Sequence, residues 1–203
     1  LNFKNKHNLK NNEIILVGTR AHLSNRFLSA KPSENQWIEY RNNKLNLLRK
    51  LHSENLQERV FYKPFPNTYG SLEDKLFFEK QIPDLKIINS DFHKRILNCS
   101  LLIIDHPGTT LNIAMAANIP TILFWDKNHF PLEKKAEKYL KKFDLNNMFF
   151  ENYIELSEFI LKKNISKWWN SNQIKEIRNK WCSDYAYTNK YWKNEWSKFL
   201  IKI

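Results

Sequence analysis

Residues 101–125, LLIIDHPGTTLNIAMAANIPTILFW, carry the pattern that most restricts the fold. Two short apolar runs flank a polar loop and a segment of helical character rich in small residues. The runs are unbroken rather than alternating, which is how strands covered on both faces read. Strand, helix and strand in that order predict a parallel crossover unit.

The alternation continues along the chain. Glu13–Thr19 (EIILVGT) reads as a first strand closed by Gly18. From Ser33 to His52 the apolar positions Trp37, Tyr40, Leu45, Leu48 and Leu51 recur at about helical spacing, with Ser33 or Asn35 as cap. Arg59–Pro66 is a second strand stopped by prolines, with a turn region at Asn67 and Gly70 after it. Leu85–Ser90 is a third strand, followed by a short helix capped by Ser90. Later come a helix over Thr109–Asn118, a helix opened by Pro131, a brief strand in NMFF, a helix in YIELSEFILKK, and a long helical pattern from about Gln173 to Lys202. The predicted fold class is α/β, a doubly wound parallel sheet with a long Trp-rich C-terminal helix. Residues 1–12 read as a lead-in or linker, 13–165 as the sheet domain, and 166–203 as a helical extension. Trp181, Tyr185, Trp192 and Trp196 fall on one helical stripe, which predicts packing against this domain or a neighbouring one.

Composition narrows the function classes. With 203 residues and 42% hydrophobic content the chain can bury one substantial core. No apolar run approaches the roughly 20 residues that cross a bilayer, and the N-terminus lacks signal-peptide character. The chain does not begin with Met, so a preceding segment is expected. Cys99 and Cys182 match no metal spacing and no disulfide framework, which suits a reducing cytoplasm. The net charge of +12 invites a nucleic-acid reading. However, the lysines are scattered, Lys, Asn and Ile abound as in AT-rich coding, and no nucleic-acid motif appears. No nucleic-acid partner is expected.

In an open parallel sheet, ligands bind beyond the carboxyl ends of the strands. The DHPGTT loop lies at such an end, and Thr109 opens the next helix. Gly108 permits close backbone approach, and free amides on the first helical turn favour an anion. The hydroxyls of Thr109 and Thr110 and the ring of His106 add donors, which together suit a phosphate or diphosphate. The plainer alternative stays open: Asp105 or Thr109 as helix cap, and Pro107 with Gly108 shaping the turn. At the same edge, Trp125 reads as core, Asp126 as a polar contact, and His129 and Glu133 as candidates to meet a base, ribose or sugar.

HPGTTLNIAMAANIPTILFW, with FYKPFP upstream and SKWWNSNQIKEIRNKWCSDYA near the end, resembles the carboxyl-terminal half of GT-B glycosyltransferases. The resemblance is closest to transferases of bacterial surface-carbohydrate clusters. It implies a Rossmann-like domain that binds a nucleotide-activated sugar, with no cofactor and no metal. Lys63 matches the family's basic residue and would pair with donor phosphate, while His106, Gly108, Thr109 and Thr110 would cradle the diphosphate. Arg20 would assist from the same edge, Asn112 would bond a hydroxyl, and Asp126 would make a polar contact. The implied partners are a glycan or lipid-linked acceptor and an N-terminal domain or partner chain, with contact at the inner membrane face as a further expectation. Two departures count against activity: Asn112 and Ile113 stand where many relatives carry Glu on this helix, and Phe65 replaces a motif His. The alternative function is a degenerate, non-catalytic binding domain.

Overall fold

In the computed structural model, which describes residues 12–19, 34–66, 72–89, 92–189 and 191–200, the apolar runs become six strands. These are β1 (Ile14–Val17), β2 (Val60–Lys63), β3 (Lys86–Ile87), β4 (Leu101–Ile104), β5 (Thr121–Phe124) and β6 (Phe149–Phe150). All pair in parallel in the order β3-β2-β1-β4-β5-β6. Every residue of β1, β4 and β5 is buried, which explains why their runs do not alternate. The helices are α1 (Glu34–Leu51), α2 (Asp74–Gln81), α3 (Phe92–Ile96), α4 (Thr109–Ala116), α5 (Lys134–Leu145), α6 (Tyr153–Lys162), α7 (Ile165–Trp169), α8 (Asn172–Tyr185) and α9 (Trp192–Leu200). Neighbours on β5 show the two layers. Leu123 faces a cavity lined by α4, α5 and α8, whereas Phe124 faces one lined by α1. α1 also packs on α6, and α8 on α4 and α5. The expected doubly wound α/β sheet is the observed one.

Asparagine does work here that glycine does in most chains. The sequence has only three glycines. Asn118 and Asn147 take left-handed backbone, at φ 57° and 56°. After α4, Asn118 N–H bonds Met115 O and Ile119 N–H bonds Ala114 O. After α5, Asn147 N–H bonds Asp144 O and Met148 N–H bonds Phe143 O. Both are paired closures that satisfy the last free helix carbonyls. Each turns the chain directly into the next strand. Asn118 also accepts a hydrogen bond from Trp169 Nε1 at 2.9 Å, which ties α7 to the end of α4.

Several sequence expectations change. Residues 74–81 form α2 where no helix was expected, because its only buried side chains are Asp74 and Phe78 and the periodic signal is weak. α5 starts at Lys134 with Glu133 as its N-cap, so Pro131 lies outside it, and Asn35 lies inside α1 rather than capping it. The long C-terminal helix is two helices. α8 ends at Tyr185, and Asn189 Oδ1 accepts from Tyr191 N at 2.8 Å, a local turn that competes with helix. The aromatic stripe therefore breaks. Trp181 and Tyr185 pack on each other and on Tyr139, while Trp192 is 55% exposed. The expected caps at Ser33 and Ser90, the turn at Asn67 and Gly70, Arg20 and the Trp196 side chain lie outside the described residues. Cys99 and Cys182 are free thiols. Among the described residues no helix is long and apolar enough to cross a membrane.

Candidate functional site

Strand register sets the geometry. Val17 on β1 is level with Lys63 on β2 and with Ile104 on β4. Gly18, Lys63 and Asp105 thus emerge together at the carboxyl edge, where the strand order reverses. In doubly wound sheets this is where ligands bind.

Beneath that edge lies a network of buried charge. Lys44 projects from the apolar face of α1 and is 2% exposed. Its Nζ is 3.0 Å from Asp105 Oδ2 and 3.4 Å from Asp74 Oδ2. Arg41 grips Asp74 Oδ1 through Nε at 3.0 Å and Nη2 at 2.8 Å. Tyr62 Oη donates to Asp74 at 3.2 Å, and Tyr40 Oη donates to the Asp105 carbonyl at 2.9 Å. Burial, then the two carboxylates, pushes both phenols up, so they stay protonated donors. Two carboxylates meet two cations, and each carboxylate accepts further hydrogen bonds, which is the condition for burying such a cluster.

Asp105 carries this network into the site. Burial alone would push its carboxyl up, but Lys44 and the His106 ring outweigh that and hold it below the ordinary carboxylate value. Its Oδ2 also accepts from Thr19 N at 3.0 Å, stitching β1 to β4 across the reversal point. Its Oδ1 lies 2.9 Å from His106 Nδ1. An ionised Asp105 can only accept, so His106 Nδ1–H donates and the neutral ring presents a bare Nε2. Asp105 is therefore no helix cap, and His106 donates to a ligand only when protonated.

The loop ends at Gly108, the N-cap of α4, which contributes no side-chain cap. Leu111 N–H bonds Gly108 O, whereas the amides of Thr109 and Thr110 meet no acceptor among the described residues. The His106 ring lies over this helix start, and a Cβ on Gly108 would sit 2.6 Å from its Nε2. Gly108→Ala is expected to swing His106 off Asp105 while leaving stability within about 1 kcal/mol, because the ring is partly exposed and free to move. Ring-nitrogen NMR shifts of His106 and a urea titration would check both halves. On the other side of β1, Lys63 forms no ion pair with the described residues, and partial burial pushes its ammonium down. Strand spacing puts it about 10 Å from the β4 end.

A sequence model of the LIC12162 family transferase matches residues 1–200. The chain belongs to the LIC12162 transferase family. No curated protein and no solved structure matches it.

The other expected site residues of this transferase fall in different places. Asn112 Oδ1 accepts from Trp181 Nε1 at 3.1 Å, so its carbonyl is committed to holding α8 on α4. Asp126 follows β5, accepts from Asn128 N at 2.8 Å and keeps Oδ2 toward solvent and His129. Glu133 accepts from Tyr185 Oη, and Trp125 is buried, as expected of core. His129 is 3% exposed rather than a free loop residue. Lys44, Asp74 and Arg41 were not expected at the site, and Tyr40 was expected only as an apolar position of the helix. One signal was available: Lys44 stands four residues after Tyr40 and four before Leu48, inside the apolar stripe of α1. Among the described residues no group of three His, Cys, Asp or Glu side chains is placed to hold a metal ion.

Proposed function

We propose that this chain transfers a sugar from a nucleotide-activated donor to a surface-polysaccharide or lipid-linked acceptor, and that it supplies the donor-diphosphate site. The observation that carries this reading is the pair of amides at Thr109 and Thr110 together with the Lys63 ammonium across β1, none of which meets a partner among the described residues. Helix amides, helix dipole and ammonium all favour a doubly charged group between β4 and β2. When the bond from the sugar C1 to the phosphate oxygen breaks, its electron pair stays on that oxygen. The same donors then meet the growing charge, and a protonated His106 adds Nε2–H, its other nitrogen braced by Asp105. Membership of a transferase family supports an enzyme.

The decisive substitution is Thr109→Pro. Thr109 is the first residue of α4, where proline is tolerated, and Gly108 before it is extended at φ −150° and ψ −174°. The change removes the amide hydrogen together with the Thr109 hydroxyl and leaves the fold alone, and Thr109→Ala, which removes only the hydroxyl, separates the two. UDP, GDP and CMP binding is measured by calorimetry. Thr109→Pro and Lys63→Ala are each expected to weaken binding at least about tenfold, the loss of one charge-assisted hydrogen bond. Equal affinity in both variants, or no binding by the parent chain, overturns the assignment. A second reading, a non-catalytic binding domain, draws on the commitment of Asn112 to Trp181 and on the lack of a carboxylate on α4. Nucleotide-sugar bound without turnover, in the presence of acceptor and of any N-terminal partner, would favour it.

A further inference from the structure

The three most exposed aromatic side chains among the described residues stand close together in the chain. Tyr187 is 71% exposed, Tyr191 58% and Trp192 55%. Large rings are unfavourable in water, and Trp and Tyr, each apolar with one polar tip, suit a boundary between water and an apolar phase. Trp192 opens α9, and in the sequence Trp196, Phe199 and Leu200 follow it at the spacing of one helical side. Lys193, Asn194, Ser197 and Lys198 fill other positions of the helix and are exposed.

A basic helix face stands beside this segment. Tyr185 Oη donates to Glu133 at 3.0 Å, and Asp184 pairs with Lys135 at 3.3 Å. α8 therefore ends against the start of α5 and delivers the aromatic segment there. α5 carries five lysines against two acidic residues. Lys134, Lys138 and Lys141 recur at the spacing of one helical stripe, all three are exposed, and none forms an ion pair with the described residues. Leu145, 83% exposed, continues the stripe. The two acidic residues of α5, Glu137 and Asp144, fall on the flank away from α8, while Asp184 and Glu133 are already engaged. The surface is cationic, aromatic and aliphatic at once.

The charge selects an anionic partner, and the side chains select its kind. Nucleic-acid sites draw on arginine for its planar fork, and neither α5 nor α9 holds one. Bases stack on aromatic faces, which leaves Leu145 without a role. Lysines flanking aromatic and aliphatic side chains are instead the composition of a surface that lies in a headgroup layer. Anionic headgroups pair with the lysines, while the rings and Leu145 enter the apolar boundary. We propose that the chain docks on an anionic bilayer through α9, the aromatic residues before it and the outer face of α5. Tyr185 and Gly108 line one cavity, so docking brings the loop after β4 near the headgroups. The docking does not depend on that loop taking a nucleotide-sugar.

The test mixes the whole chain with sucrose-loaded vesicles of phosphatidylcholine, alone or with phosphatidylglycerol, and reads the fraction that sediments. Binding is expected on the anionic vesicles, weak on the neutral ones, and falling as salt rises past about 0.15 M, where charges are screened beyond about 8 Å. A lysine beside such a surface is worth about fivefold in affinity, so Lys134→Gln, Lys138→Gln and Lys141→Gln combined are expected to lower it at least about tenfold. A urea midpoint equal to the parent's shows that this variant keeps its fold. Trp192→Ala is expected to weaken binding and to reduce the quenching of Trp fluorescence by brominated lipid. Neither variant is expected to change any nucleotide affinity, which keeps the result separate from the donor assignment. No sedimentation with anionic vesicles, equal binding to neutral ones, or full binding by the lysine variant overturns the proposal. Single-stranded RNA bound in preference to vesicles, and lost by the lysine variant, gives this face to nucleic acid and overturns it too.

Discussion

Replacing Asp105 with alanine is expected to destabilise the chain by about 3–5 kcal/mol, the cost of stranding one partner of a buried ion pair. The side chain is fully buried and receives Lys44 Nζ, Thr19 N and His106 Nδ1. Without it, Lys44 keeps only Asp74 at 3.4 Å, while Arg41 already occupies the other oxygen of that carboxylate. Urea unfolding followed by Trp fluorescence would measure the loss. Exchanging both partners at once, Lys44→Met with Asp105→Asn, is expected to recover at least half of it, because the stranded ammonium is gone. A single-variant cost below about 1 kcal/mol would mean that the charge is not held as described. The pH dependence has a defined sign. The folded state holds the Asp105 carboxyl below its ordinary value, so it binds its proton less readily than the unfolded chain. This contribution is present above about pH 4 and is lost as pH falls through the folded value. The acid limb of the stability curve should therefore be shallower in Asp105→Ala than in the parent chain.

Gly18→Ala is the second large effect, expected at about 2–4 kcal/mol. The backbone does not require glycine here by conformation. What excludes a methyl group is Tyr62, whose Oη would lie 2.3 Å from the new Cβ. Tyr62 cannot step aside cheaply. It is fully buried, donates to Asp74 and packs on Phe78 with ring centroids 4.6 Å apart. The cost sums overpacking of about 1–3 kcal/mol and the weakened hydrogen bond to a carboxylate. Removing the offending oxygen with Tyr62→Phe should make Gly18→Ala less damaging than it is alone. That non-additive pair is the signature of direct contact. A Gly18→Ala chain that melts with the parent would remove Tyr62 as the reason for this glycine.

Much of the scaffold is legible from local pattern. Strands buried on both faces must be apolar or satisfy their own polar groups, so IILV, LLII and TILF, whose Thr121 hydroxyl donates to Ile119 O, announce themselves. The loop after β4 reads as a candidate anion site for local reasons too, a helix start and a glycine, whereas the absence of a cap from Asp105 or Thr109 was decided by the fold. What is not legible has a common cause. Lys44, Asp74 and Asp105 are 30 and 61 residues apart along the chain and come together only because α1, α2 and β4 converge at one edge. Lys44 in isolation reads as a solvated lysine, and Asp105 as a turn residue.

The division follows the range of the forces involved. Period, capping and backbone conformation act over a few residues, so most of the order of elements is written in the chain itself, α2 and the break after Tyr185 excepted. The pairings of buried charge, Lys44 with Asp74 and with Asp105, and the bond from Thr19 N to Asp105 arise between groups distant in the chain. Those were settled by packing, because a buried polar atom's energy depends on whichever neighbour the fold delivers to it.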